Sequence, residues 1–131
     1  MKVAFATIDG KNVDEHFGRA GMFAIYEITD HACNFVEMRK FADGVDMTVV
    51  DTKDRGALHD RAVESKVDRL ADCKLVYVTE IGGPSAARLV KKGIMPMKMK
   101  DAVSIDSALR QLGEMIRKSP PPWIRKALGK P

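Results

Sequence analysis

Two short stretches hold the residues best suited to chemistry. The first, NVDEHFGRA at 12–20, sets His16, Phe17, Gly18 and Arg19 in a row. The second, TEIGGPSA at 79–86, contains Gly82, Gly83 and Ser85. A loop imidazole can ligate a metal, move a proton or simply cap its own loop. An arginine can hold an anion, although a loop arginine is most often only solvated. Phe17 suits a small core plug beneath its loop. A glycine pair lets the backbone come close to a ligand. A helix beginning near Pro84–Ser85 would aim its free N–H groups and its dipole at an anion. A Gly-Gly pair before a helix is also an ordinary turn.

Other groups offer less. Asp9 and Glu80 each end a strand, and converging carboxylates can serve two-metal hydrolysis. Asp9-Gly10 is equally a common turn dipeptide. His31 and Cys33 are too sparse for a metal site. Cys33 falls in a turn, and Cys73 ends a helix and is buried. Neither cysteine sits in a CxxC, and a built-in zinc or iron–sulfur site needs about four clustered ligands. Met95, Met97 and Met99 are packing residues more readily than soft ligands. There is no GxSxG, P-loop or GxGxxG motif, so nothing in the chain demands an enzyme.

These residues need a scaffold, and the hydrophobic pattern supplies one. Residues 2–7 (KVAFAT) read as a buried strand, 8–21 as a loop and 22–29 (MFAIYEIT) as a second strand. A turn at 30–34 leads into a third strand at 35–41, which makes an antiparallel hairpin. Residues 42–58 form a long connection. Val63, Val67, Leu70 and Ala71 fall at helical spacing within 59–72. Residues 74–79 (KLVYVT) are another buried strand. A helix then runs from about Pro84 to Gly93. MPMKMK at 95–100 is a half-buried strand that Pro96 assigns to a sheet edge. The last helix starts at the N-cap Ser104 and carries Ile105, Leu109, Leu112 and Ile116 to about Lys118. The order β-β-β-α-β-α-β-α predicts an α/β fold with a mixed five-stranded sheet. Ligands bind such sheets at the carboxyl ends of parallel strands. If the first and fourth strands are neighbours, His16, Arg19 and the glycine pair line one crevice.

The totals agree with a single domain of 131 residues, 45% hydrophobic and 31% charged. No apolar run nears the roughly 20 residues of a membrane helix, and the start is a poor secretion signal. A cytoplasmic protein is expected. The net charge of +4 comes from the tail: five basic residues and no acidic one lie between Arg117 and Pro131, leaving 17 basic and 18 acidic residues before them. That balance argues against a nucleic-acid-binding body.

VAFATIDGKNVDEHFGRAGMFAIYEI at 3–28 resembles the opening of the dinitrogenase iron–molybdenum cofactor-binding family. ADCKLVYVTEIGGPSAARLVKKGIMPMKM at 71–99 continues the resemblance, and SPPPWIRKALG at 119–129 is similar to the end of its NifX-like branch. The resemblance implies a ribonuclease H-like three-layer fold, with sheet order about 3-2-1-4-5 and without that enzyme's catalysis. The SPPP stop and the basic run after it divide the chain into a domain, 1–118, that the resemblance makes cofactor-binding, and a basic Pro/Trp tail, 119–131. The resemblance also implies a carrier of nitrogenase cofactor precursors (NifB-co, VK-cluster) and of FeMo-co. Its partners would be NifB, the NifEN scaffold and apo-dinitrogenase. His16 matches the family's histidine and is the implied iron contact. Asn12, Phe17, Gly18, Arg19, Gly82, Gly83 and Ser85 would surround the cofactor. Many relatives carry a cysteine near the end of the fourth strand, where this chain reads VYVTEIGG.

Three functions follow for comparison. One is the non-enzymatic cluster carrier. A second is a regulatory protein that binds a partner through Trp123, Ile124 and Leu128 of the tail, without a cluster. The third is a metal-dependent nuclease using Asp9 and Glu80.

Overall fold

The computed structural model describes residues 1–41 and 64–128. Its main sheet is built on β1 (Lys2–Ala6), β3 (Met22–Ile28), β4 (Cys33–Lys40), β5 (Cys73–Val78) and β6 (Met95–Lys98). A small second sheet joins β2 (Asn12–Val13) to β7 (Val103–Ser104). The helices are α1 (described over 64–69), α2 (Gly83–Lys91), α3 (Ile105–Lys118) and α4 (Pro122–Ala127). The main sheet has the order β4-β3-β1-β5-β6. With the strands of this sheet alone numbered in chain order, this is the expected 3-2-1-4-5. β1 pairs antiparallel with β3 and parallel with β5, and β5 pairs parallel with β6.

Side-chain alternation along the strands fills two cores. Ala4, Ala6, Phe23, Ile25, Val76 and Val78 face one side, where Val67 of α1 and Leu89 of α2 cover them. Val3, Phe5, Leu75 and Tyr77 face the other, under Ile105, Leu109, Leu112 and Ile116 of α3. With both faces covered, the central strands become continuous apolar runs. That is why KVAFA and LVYV carry almost no polar residue. β4 lies at an edge and is mostly exposed, with Phe35 and Val36 open to solvent. β6 forms the other edge, as Pro96 requires.

Several boundaries differ from the sequence reading. Cys33 does not sit in the turn; it opens β4, paired with Ile28. Cys73 opens β5 instead of ending a helix, and it is buried as expected. β6 stops at Lys98, two residues early. Part of the 8–21 loop is β2, which pairs Asn12 with Ser104 and Val13 with Val103. Ser104 caps α3 as read: its Oγ accepts the Ser107 N–H at 3.0 Å. The 42–58 connection and Val63 lie outside the described residues.

The prolines at 120–122 end α3, and Pro122 then starts α4 at the position where a missing N–H costs least. α4 seats Ile124, 0% exposed, in the same core as α3. Burying that side chain stabilises the fold by roughly 1.5–3 kcal/mol. Trp123 remains 37% exposed.

Candidate functional site

Because β1 and β5 run parallel side by side, the loops that leave them open at the same end of the sheet. These loops are tied together by backbone. The Thr79 N–H donates to Glu15 O at 3.1 Å, and the Phe17 N–H donates to Glu80 O at 2.9 Å. His16 and Glu80 thereby form a parallel β-bridge. The bridge brings the HFG turn to within two residues of Gly82.

Phe17 explains the local conformation. It is 0% exposed and packs edge-on against Phe23, with ring centroids 6.0 Å apart. Lys66 lies beneath the turn, 1% exposed. Its Nζ donates to Phe17 O at 2.9 Å and to Gly18 O at 3.4 Å, and stands 5.4 Å from the Phe17 ring centroid. The Arg19 and Ala20 N–H groups close the turn on His16 O at 3.1 and 2.9 Å. With Phe17 held inward, His16, Gly18 and Arg19 are all exposed.

The second wall is the start of α2. Gly82 occupies the N-cap, with no side-chain cap and no acidic residue in the first turn. Such a start leaves amide donors for solvent or for a ligand. A Cβ on Gly83 would enter open space, and one on Gly82 would meet only Pro84 Cδ at 4.0 Å. Neither residue has a positive φ. Local sterics therefore do not require glycine at either position, and the bare backbone is what the pair contributes to the crevice. Ser85 is half-buried in the first turn.

The acidic residues nearby serve the loops. Asp9 accepts from the Lys11 N–H at 2.8 Å, the Asn12 N–H at 3.0 Å, Asn12 Nδ2 at 2.9 Å and Thr7 Oγ1 at 3.3 Å. Those bonds, the Lys11 amide first, hold its carboxyl below the usual carboxylate range. Glu80 pairs with Lys98 Nζ at 3.0 Å and accepts from the Ile81 N–H at 3.3 Å. Lys98, chiefly through that bond, lowers the Glu80 pKa. Among the described residues no group of three or more His, Cys, Asp or Glu is placed to hold a metal ion. Asp9 and Glu80 are engaged in a turn and an ion pair, so the two-metal nuclease has no support here.

The bridge thus joins the loop that exposes His16, Gly18 and Arg19 to the loop that leads through Gly82 and Gly83 into α2, where Ser85 lies in the first turn. Phe17, a cofactor contact on the resemblance, gives its whole surface to the core. Asn12 spends its side-chain amide on Asp9. The residue that sequence reasoning missed is Lys66. Its signal was its position: with Val63, Val67 and Leu70 at helical spacing, residue 66 falls on the apolar stripe, where a charge is out of place.

Comparison with known proteins adds a family. The family model described as dinitrogenase iron-molybdenum cofactor matches residues 1–115. The chain is 38% identical to the protein NifX of Rhodobacter capsulatus over 130 residues, covering 98% of this chain and 78% of that protein. It is 31% identical to the FeMo cofactor biosynthesis protein NifB of Bradyrhizobium diazoefficiens over 128 residues, covering 98% of this chain and 22% of NifB. The crystal structure of PH0822 is similar in fold, with a TM-score of 0.63 at 20% identity, over 87% of this chain and 91% of that one.

Proposed function

Because this chain belongs to the dinitrogenase iron–molybdenum cofactor family, we propose that it is a non-enzymatic carrier of nitrogenase iron–sulfur cofactors. It works in cofactor biosynthesis for nitrogen fixation. Its cargo is a precursor of the NifB-co or VK-cluster kind, or FeMo-co itself, moving between NifB, the NifEN scaffold and apo-dinitrogenase in the cytoplasm. The fold is ribonuclease H-like, a reading supported by the sheet order and by helices on both faces.

One observation carries the proposal. The His16–Glu80 bridge joins the loop of an exposed histidine to the loop that leads, two residues on, into an uncapped, glycine-led helix. The cargo is anionic and brings its own sulfides, so it needs few protein ligands. His16 supplies one iron ligand. Arg19, the Gly18 amide and the N–H groups of Gly82, Gly83 and Ser85 offset negative charge. Phe17 and Asn12 hold the loop in place. A site with a single imidazole also lets the cargo leave, which four thiolates would oppose. The tail-docking alternative loses ground because Ile124, part of its presumed anchor, is buried in the core.

The test is direct. The protein is mixed anaerobically with NifB-co or FeMo-co and separated from free cluster by size exclusion, and co-eluting iron is measured for wild type and His16→Ala. Iron should travel with the wild type and be lost from the variant. A wild type that elutes without iron would overturn the carrier reading.

A further inference from the structure

A cleft of about 550 Å³ opens between the β3–β4 turn and α3. β3 runs antiparallel to β1, so its last residues lie at the end of the sheet opposite His16. The turn side of the cleft carries His31 and Cys33, and the helix side carries Asp106, Arg110, Gly113 and Arg117. Those four helix positions follow one another at intervals of four, three and four residues, which is a single stripe of an α-helix. We infer that this cleft is a second binding site, for a small molecule bearing two carboxylate or phosphate groups.

Charge and shape both point that way. Among the described residues neither Arg110 nor Arg117 is held in an ion pair. The one carboxylate on the stripe is Asp106. The His31 Nε2 turns instead to Asp30 Oδ1 at 3.4 Å. Two exposed arginines line a space of the volume small-molecule sites usually have. Each guanidinium matches a carboxylate or a phosphate with paired hydrogen bonds. They leave the helix about 10 Å apart along its axis, a span that two flexible side chains can close around a short linker.

Gly113 adds an independent sign. Glycine is the poorest helix former apart from proline, and here it sits in the third turn of α3. A Cβ at that position would meet Arg117 Nη1 at 3.3 Å and both Arg117 Cζ and Nη2 at 3.8 Å. The missing side chain lets the Arg117 guanidinium lie back along the helix at the wall of the cleft. A Cβ there would require the guanidinium to give by a few tenths of an ångström. The site goes beyond the carrier reading and stands or falls apart from it.

Isothermal titration of the full chain at low ionic strength, with pyrophosphate and with glutarate as probes, tests the site. At least one probe should bind saturably, one per chain. Arg110→Gln and Arg117→Gln should each weaken it about tenfold. Gly113→Ala should weaken it at most twofold while raising the melting temperature, because alanine favours the helix. That opposite movement separates a binding role from a structural one. Preference for pyrophosphate would support the site as a phosphate site, and preference for glutarate as a carboxylate site. Two results would overturn it: no saturable binding of either probe, or binding that survives in the Arg110→Gln/Arg117→Gln double variant.

Discussion

Lys66 Nζ donates to the carbonyl oxygen of Phe17 across 2.9 Å, inside the protein. The bond joins α1 to the turn that presents His16. Lys66→Met keeps the apolar stem and removes the donor, leaving the Phe17 carbonyl without its charged partner. A loss of about 1–3 kcal/mol is expected, read by urea denaturation. Amide hydrogen exchange at 18–20 should also speed up. Unchanged exchange there would mean that the turn does not rest on Lys66.

Asp72, in the turn before β5, is a pH-sensitive tie between β1 and β4. It receives Arg39 Nη1 at 2.6 Å, Arg39 Nη2 at 2.7 Å and Lys2 Nζ at 3.2 Å. The Arg39 guanidinium, by hydrogen bonding, holds the Asp72 carboxyl well below the usual carboxylate range. A folded-state pKa below the unfolded value, near 3.9, means stability present above that pH and lost as pH falls beneath it. The side chain is 43% exposed, so solvent screening limits the effect. Asp72→Asn should cost about 0.5–1 kcal/mol at pH 7 and much less at pH 2. Urea midpoints at both pH values check this. An equal cost at both would remove Asp72 from the acid transition.

The two thiols should behave differently. Burial, first, and the neighbouring Asp72 push the Cys73 thiol up to about 12. Cys33 is exposed on β4. Native protein at pH 8 should show one thiol that reacts quickly with an aromatic disulfide reagent, and a second only after unfolding in guanidinium. Cys33→Ser should abolish the fast phase. Two fast thiols in the native wild type would contradict the packing of β5.

α4 is part of the core it covers. Ile124→Ala leaves a cavity beside α3 and should cost about 2–4 kcal/mol, measured by urea denaturation. Stability unchanged by this substitution would show that residues 122–127 do not pack as described.

The sheet was legible because its strands are short, apolar and well punctuated. KVAFA, MFAIYEI and KLVYV differ little from what two covered faces demand, and Pro96 marks its own edge. α3 was legible through Ser104 and the stripe from Ile105 to Ile116. The β2–β7 pair was not, since two residues show no period and their partner lies some ninety positions away. α4 hid behind its prolines: a triplet that ends one helix also supplies the first turn of the next. At the crevice, the pairing of the His16 loop with the Gly82 loop followed from parallel neighbours. The inward turn of Phe17 and the ammonium beneath it did not, because nothing on the apolar stripe announces the Phe17 and Gly18 carbonyls that the Lys66 ammonium meets.

The bridge between His16 and Glu80 bears on how such a crevice could empty. Its two walls are stitched by main-chain bonds, so parting them would mean breaking the extension of β1 and β5. A seat of this kind does not work by opening a gate. On the carrier reading proposed above, a cargo seated there would stay uncovered on its outer side, where a recipient could take it by ligand exchange before the donor has let go.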